Sequence, residues 1–189
     1  GDEVVCPSLT FVASTNSIVY TGARPMFLDS QVETWGLDPV EFQRFLVEDC
    51  DHASDGPVTD RKTGLRVKAV MPVHLYGHPV DMDPLVETAK AHKIAVIEDA
   101  TESLGSTYKG DPMGVIGDVG CFSFNGNKTI TSGGGGMMVF RGSELVVRGR
   151  SLINQAKDPV DEFYHSEEGY NYRMSNLHAA VGLAQFEQL

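Results

Sequence analysis

The sequence is short of positive charge: 15 Lys and Arg stand against 26 Asp and Glu, a formal net charge of −11. No basic stripe is available to neutralise a phosphate backbone, which argues against a nucleic-acid binder. A small anionic ligand remains allowed, because it needs only a few local donors. Cysteine is scarce and odd in number, at Cys6, Cys50 and Cys121, and the spacing matches no zinc or redox motif. These read as reduced thiols in a cytoplasmic protein. No apolar run approaches the roughly 20 residues that span a bilayer, so no membrane segment is expected. No signal peptide is visible.

What is present is an ordinary globular balance, 41% apolar and 22% charged over 189 residues, enough for one sizeable core and too little for several domains. The chain opens at Gly1 and stops at Leu189 inside an apparently helical pattern. Both ends look cut, and a single, incomplete domain over 1–189 is expected.

Short apolar runs bounded by turn residues predict strands at 25–29, 67–73, 94–98, 119–124 and 137–140. Between them, Asp38-Pro39-Val40-Glu41 reads as a helix start, with Asp38 as N-cap, Pro39 first and Glu41 closing a capping box. Asp83-Pro84 predicts a second start of the same kind, with Leu85, Val86 and Ala89 facing inward. Residues 143–154 and 176–189 predict two more helices. Strand–helix alternation implies an α/β fold with a mixed, mostly parallel sheet flanked by helices. The polar stretch 51–64 reads as a surface insertion.

Two segments carry chemistry. Ile94-Ala95-Val96-Ile97-Glu98-Asp99 runs an apolar strand into two carboxylates, with Glu102 following. In open α/β sheets ligands bind beyond the carboxyl ends of strands, where Asp99 falls. Taken alone, the pair reads equally well as a solvated strand end. A glycosidase-type pair is disfavoured, because adjacent residues on an extended chain point in opposite directions. The second segment is Phe122-Ser123-Phe124-Asn125-Gly126-Asn127-Lys128, leading into a Thr-, Ser- and Gly-rich loop. A Walker loop fails because Asn127 precedes the lysine, and a dinucleotide fingerprint fails because Met138 takes the place of its third Gly. A lysine poised to condense with a carbonyl carbon remains. A strand-end Asp followed about thirty residues on by a loop Lys is what pyridoxal phosphate chemistry requires: the Asp keeps the ring nitrogen protonated, and the Lys binds the cofactor covalently and moves protons. His74 and His78 stand four apart, but Gly77 and Pro79 disfavour a helix there, so no metal pair is expected.

The sequence resembles the DegT/DnrJ/EryC1/StrS sugar aminotransferases over essentially its whole length. The matching blocks are Gly1-Asp2-Glu3-Val4-Val5, Pro7-Ser8-Leu9-Thr10-Phe11-Val12-Ala13, Pro72-Val73-His74-Leu75-Tyr76-Gly77, Glu98-Asp99-Ala100-Thr101-Glu102-Ser103-Leu104-Gly105, Phe122-Ser123-Phe124 with Lys128, and Gly169-Tyr170-Asn171-Tyr172-Arg173-Met174. The resemblance implies the large, cofactor-binding domain of a fold-type I pyridoxal phosphate transferase. It implies Lys128 as the Schiff-base lysine, Asp99 on the pyridine nitrogen, Phe11 on the ring face and Ser123 on the phosphate. Glu102, where many relatives carry Gln, would bond the phenolic oxygen. Asn171 would reach the phosphate of a neighbouring subunit's cofactor, which implies a homodimer with shared sites. His74, Tyr172 and Arg173 are candidates for the sugar pocket. Without the resemblance, Phe11 would be assigned to the core, and Asn171 and Arg173 to an ordinary loop.

The implied reaction is amino transfer, with glutamate as donor, to a nucleotide-linked 4-keto-6-deoxy sugar for surface polysaccharide or nonulosonic acid synthesis. The residues 125–131, the Gly133–Gly136 run and Lys62-Thr63-Gly64 look closest to the LegC-like branch, which takes UDP-linked sugars. The alternatives are a GDP-perosamine-synthase-like enzyme and a non-catalytic regulatory relative, which would be expected to lose Asp99 or Lys128. A sugar 3-dehydrase of this fold carries histidine in place of the lysine. Relatives also have a phosphate-binding turn upstream of the Gly1 position and a small domain downstream of Leu189, so the isolated fragment is expected to be inactive.

Overall fold

The computed structural model describes residues 1–53, 56–161 and 163–189. Its elements in chain order are β1 (Asp2–Pro7), α1 (Val12–Tyr20), β2 (Arg24–Leu28), α2 (Pro39–Asp49), β3 (Cys50–His52), β4 (Val58–Asp60), β5 (Arg66–Val70), α3 (Met82–Ala91), β6 (Ala95–Asp99), β7 (Thr107–Tyr108), β8 (Asp111–Pro112), β9 (Val119–Ser123), β10 (Gly136–Phe140), α4 (Ser143–Ile153) and α5 (Asn176–Phe186). Among the described residues the main sheet runs β10-β9-β6-β5-β1-β2, with the β3–β4 hairpin attached at β5. The pairs from β9 through β6, β5 and β1 to β2 are all parallel. Among the described residues of this sheet, β10 and the hairpin run antiparallel, and β7 and β8 form a separate antiparallel pair.

Side chains alternate across this sheet and build a core on each face. On one face Val5, Val67, Val70 and Val96 pack with Phe42, Phe45 and Leu46 of α2 and Leu85 and Ala89 of α3. On the other, Val4, Cys6 and Ala69 pack with Ile18 of α1, and Ile97 joins them. Glu98 therefore shares a face with Val96, and Asp99 shares one with Ile97 and α1.

The predicted strands 25–29, 67–73, 94–98, 119–124 and 137–140 all form, with ends moved by a residue or so, except that 67–73 ends at Val70. Asp38 caps α2 as predicted, its carboxylate accepting from the Val40 N–H at 2.8 Å with Pro39 beside it. The capping box does not close. Glu41 instead takes the Arg44 guanidinium at 2.7 Å, and the Asp38 N–H donates to the Asp29 carbonyl. The next helix starts two residues earlier than predicted: Asp81, not Asp83, is its N-cap, and Asp83 lies in the first turn. Residues 51–64 are not a plain insertion, since they contain most of the β3–β4 hairpin, with Val58 and Asp60 buried; Ser54 and Asp55 lie outside the described residues.

Candidate functional site

Parallel strands place all their carboxyl ends at one edge, so the segments after β1, β5, β6 and β9 converge there. They carry Thr10 to Ser14, His74 to Gly77, Asp99 to Glu102, and Ser123 to Lys128 respectively. The sheet register tightens this. Asp99 pairs directly with Cys121, and Val73 bridges to Asp99. Ser123, two residues beyond Cys121 on β9, lies on the face of Asp99.

Asp99 ends β6 with its two oxygens unequally engaged. Oδ2 accepts a short hydrogen bond from the Ser14 hydroxyl, 2.6 Å. Among the described residues Oδ1 has only the Thr101 N–H at 3.3 Å, which leaves it room for another donor. Lys128 lies in the loop after β9, its side chain 15% exposed, with Nζ 3.5 Å from Glu102 Oε1. The other oxygen of Glu102 accepts the Tyr76 N–H at 2.7 Å. Tyr76 and Gly77 make that approach with φ of 53° and 80°. A Cβ at Gly77 would come within 2.9 Å of the Glu102 carbonyl oxygen, so the turn needs glycine there. The Lys128 amine and the Glu102 carboxylate thus meet at the carboxyl edge, the same edge at which Asp99 ends β6.

Glu98 points the other way and has a different task. It is fully buried, and its carboxylate accepts from the Gly117 N–H (2.6 Å), the Ile116 N–H (2.7 Å), the Gly114 N–H (2.8 Å) and His74 Nε2 (3.1 Å). Burial pushes this carboxyl up, but the bonds from His74, Gly117 and Gly114 outweigh it and leave it below its ordinary value. His74 Nδ1 accepts from the Val80 N–H, so its proton sits on Nε2 and is donated to Glu98. His74 is fully buried with both nitrogens engaged.

Phe11 is not a core residue. It is the N-cap residue of α1 and stands 73% exposed, and its carbonyl accepts the Ser14 N–H at 3.2 Å. Ser123 is half-buried, and its hydroxyl accepts from the Asn125 N–H at 3.4 Å. Asn171, Tyr172 and Arg173 form a separate group. Asn171 bridges Asn154, the exposed Tyr172 ring stacks on Tyr170 at 5.0 Å, and Arg173 donates to the Asn154 side chain at 3.3 Å. Among the described residues, none of these three makes a hydrogen bond or ion pair to Asp99, Glu102, Ser123 or Lys128. Sequence reasoning missed Ser14 and Thr10. Thr10 stands just before α1 and Ser14 in its first turn, but nothing local shows that this pair meets a residue 85 positions from Ser14. No cluster of three metal-binding side chains occurs among the described residues.

A mostly parallel sheet with helices on both faces, and a lysine and carboxylates at its carboxyl edge, defines the large domain of a fold-type I pyridoxal phosphate transferase. The chain belongs to the DegT/DnrJ/EryC1/StrS aminotransferase family, matching it over residues 1–189. It is 45% identical over 189 residues to the putative pyridoxal phosphate-dependent aminotransferase EpsN of Bacillus subtilis, and 43% identical to the GDP-perosamine synthase of Caulobacter vibrioides. Each comparison covers 100% of this chain and 46% of the relative, so the chain spans about half the length of the curated relatives it matches. The structure of S. venezuelae DesV in complex with a ketimine intermediate superimposes with a TM-score of 0.83 at 33% identity, over 99% of this chain and 46% of that one.

Proposed function

We propose that this chain is the cofactor-carrying part of a pyridoxal phosphate-dependent aminotransferase that aminates a nucleotide-linked keto sugar. The observation that carries the reading is the sheltered Lys128 amine, held 3.5 Å from a carboxylate three residues beyond Asp99. Pyridoxal phosphate, when bound, supplies an aldehyde for the amine and a ring that withdraws electrons from the reacting carbon. The residues present fit such a group. The less engaged Oδ1 of Asp99 suits a cationic ring N–H, the exposed Phe11 ring suits an aromatic face, and the Ser123 hydroxyl suits a phosphate oxygen. Glu102 holds the Lys128 amine toward the ring position, and the same amine is the group placed to move a proton at the substrate carbon. Asn171, Tyr172 and Arg173 stand apart from this cluster and are assigned to contacts made across a homodimer interface and with the sugar.

The amino donor in this reading is glutamate, and the acceptor is a 4-keto-6-deoxy sugar. The relatives named GDP-perosamine synthase, at 43% and 45% identity, favour a GDP-linked acceptor over the UDP-linked one implied by the LegC-like blocks. The free Cys6, Cys50 and Cys121 support a reducing, cytoplasmic setting.

Borohydride reduction of the full-length protein incubated with pyridoxal phosphate should fix the label on Lys128, read by peptide mass spectrometry. Lys128→Ala should carry no label in that peptide. A label placed elsewhere in the wild type, with Lys128 unmodified, would overturn the reading. A panel of GDP-, UDP- and dTDP-linked keto sugars with glutamate then identifies the acceptor.

A further inference from the structure

We infer that Ser14, backed by Thr10, is a positioning residue that sets the Asp99 carboxylate for the cofactor's ring nitrogen. The inference rests on the proposed role of Asp99. The Ser14 hydroxyl donates to Asp99 Oδ2 at 2.6 Å, and the Thr10 and Ser14 hydroxyl oxygens are 2.8 Å apart. The direction of this chain follows from proton counting. An ionised carboxylate only accepts, so the single Ser14 proton goes to Asp99, and Ser14 must accept from Thr10. The order is Thr10 to Ser14 to Asp99, each bond polarising the next.

Ser14 is 4% exposed and lies in the first turn of α1, where Ile18 anchors the helix in the core. The hydroxyl is therefore fixed by packing, and it occupies one carboxylate oxygen. The carboxylate cannot rotate without losing that bond, so Oδ1, with only the 3.3 Å Thr101 N–H among the described residues, keeps a fixed direction and room for a further donor. Segment 10–14 thus delivers two things to one place, the exposed Phe11 ring and the hydroxyl pair that orients Asp99. A serine kept merely to fill space would have no reason to spend its proton on the one carboxylate that needs orienting.

The test uses the full-length apoprotein and two ligands, pyridoxal phosphate and its 1-deaza analogue, which keeps the aldehyde and the phosphate but has no ring nitrogen. Dissociation constants are measured by equilibrium dialysis for wild type, Ser14→Ala, Ser14→Thr and Thr10→Val, with circular dichroism as the check on folding. Wild type should prefer pyridoxal phosphate. Ser14→Ala should lose about tenfold of that preference, the scale of a hydrogen bond to a charged group, while binding the analogue as before. Ser14→Thr keeps the hydroxyl and should keep the preference, and Thr10→Val should lose a smaller part. Equal weakening toward both ligands in Ser14→Ala would overturn the inference, because a purely structural defect ignores the ring nitrogen. If Ser14→Ala does not fold, an unchanged preference in Thr10→Val overturns it instead. A wild type that binds both ligands equally sinks the Asp99 assignment itself, an outcome distinct from a wild-type preference that survives removal of the Ser14 hydroxyl.

Discussion

Two buried glutamates, Glu98 on β6 and Glu3 on β1 with β5 between them, show how partners decide the fate of a charge. Glu98 is supplied with four donors and sits below its ordinary value of 4.5; Glu3 is equally buried, and neither of its oxygens has a hydrogen-bond partner among the described residues. Desolvation chiefly raises Glu3, with the nearby Asp60 carboxylate adding to it, against opposition from Thr63 and from Arg24 at 3.8 Å. The signs of the pH dependence are opposite. A depressed carboxyl such as Glu98 contributes stability above its unfolded value of about 4.5, lost as pH falls through the folded value. A raised carboxyl such as Glu3 favours the folded state only below about pH 4.5, and that contribution disappears as pH rises through its folded value. Glu3→Gln should accordingly raise Tm by a few degrees at pH 7 and change it little near pH 4. Glu98→Gln should lower stability at pH 7 by about 2–4 kcal/mol, since an amide nitrogen would be forced against backbone N–H groups. Thermal denaturation of both variants across pH checks the two signs together.

The element that seats Glu98 tolerates no extra atom. Gly120 on β9 pairs with Glu98 on β6, and a Cβ at Gly120 would lie 1.9 Å from the Gly114 carbonyl oxygen. That contact is backbone, so it is not relieved by turning a side chain. Gly120→Ala should cost about 3 kcal/mol, read from denaturant unfolding, and should disorder the 113–117 turn that feeds Glu98. A loss under 1 kcal/mol would mean that the turn is looser than its hydrogen bonds suggest. The strands around this point were legible in the sequence because each is a short apolar run ending in a turn. α1 was not, since it has no side-chain cap and its two buried residues are Ser14 and Ile18, one of them polar. The β3–β4 hairpin was hidden for a similar reason: burial of Asp60 makes a strand read as polar surface. At the candidate site, Asp99 at the end of β6 and Lys128 in the loop after β9 could be singled out because each follows a short apolar strand. Ser14 was not, because its partner is set by the crossing of a helix and a strand far apart in the chain, a tertiary fact that no local pattern encodes.

Stability is unevenly distributed over the whole chain. The two cores draw on β1 to β6 and on the first three helices, whereas α4 and α5 bury no side chain completely. β10, at the edge of the sheet, is exposed along much of its length. The three thiols sample this gradient. Cys6 on β1 and Cys50 at the start of β3 are buried, and Cys121 on β9 is half-buried beside β10. Burial pushes the thiols up to about 11 for Cys6, about 12 for Cys50 and about 11 for Cys121. The thiolate is the reacting species, so near pH 8 Cys6 and Cys121 should alkylate roughly a hundredfold more slowly than in the unfolded chain, and Cys50 roughly a thousandfold more slowly. The edge should nonetheless open before the centre, because few apolar contacts hold β10 and its flanking helices. Iodoacetamide labelling followed by mass spectrometry should find Cys121 modified first, with a shallow dependence on denaturant. Cys6 and Cys50 should follow together, with the steep dependence of global unfolding. One shared rate and one shared slope for all three would mean that the sheet from β2 to β10 opens as a single unit, and that the exposed carboxyl-terminal helices are held by more than their own contacts.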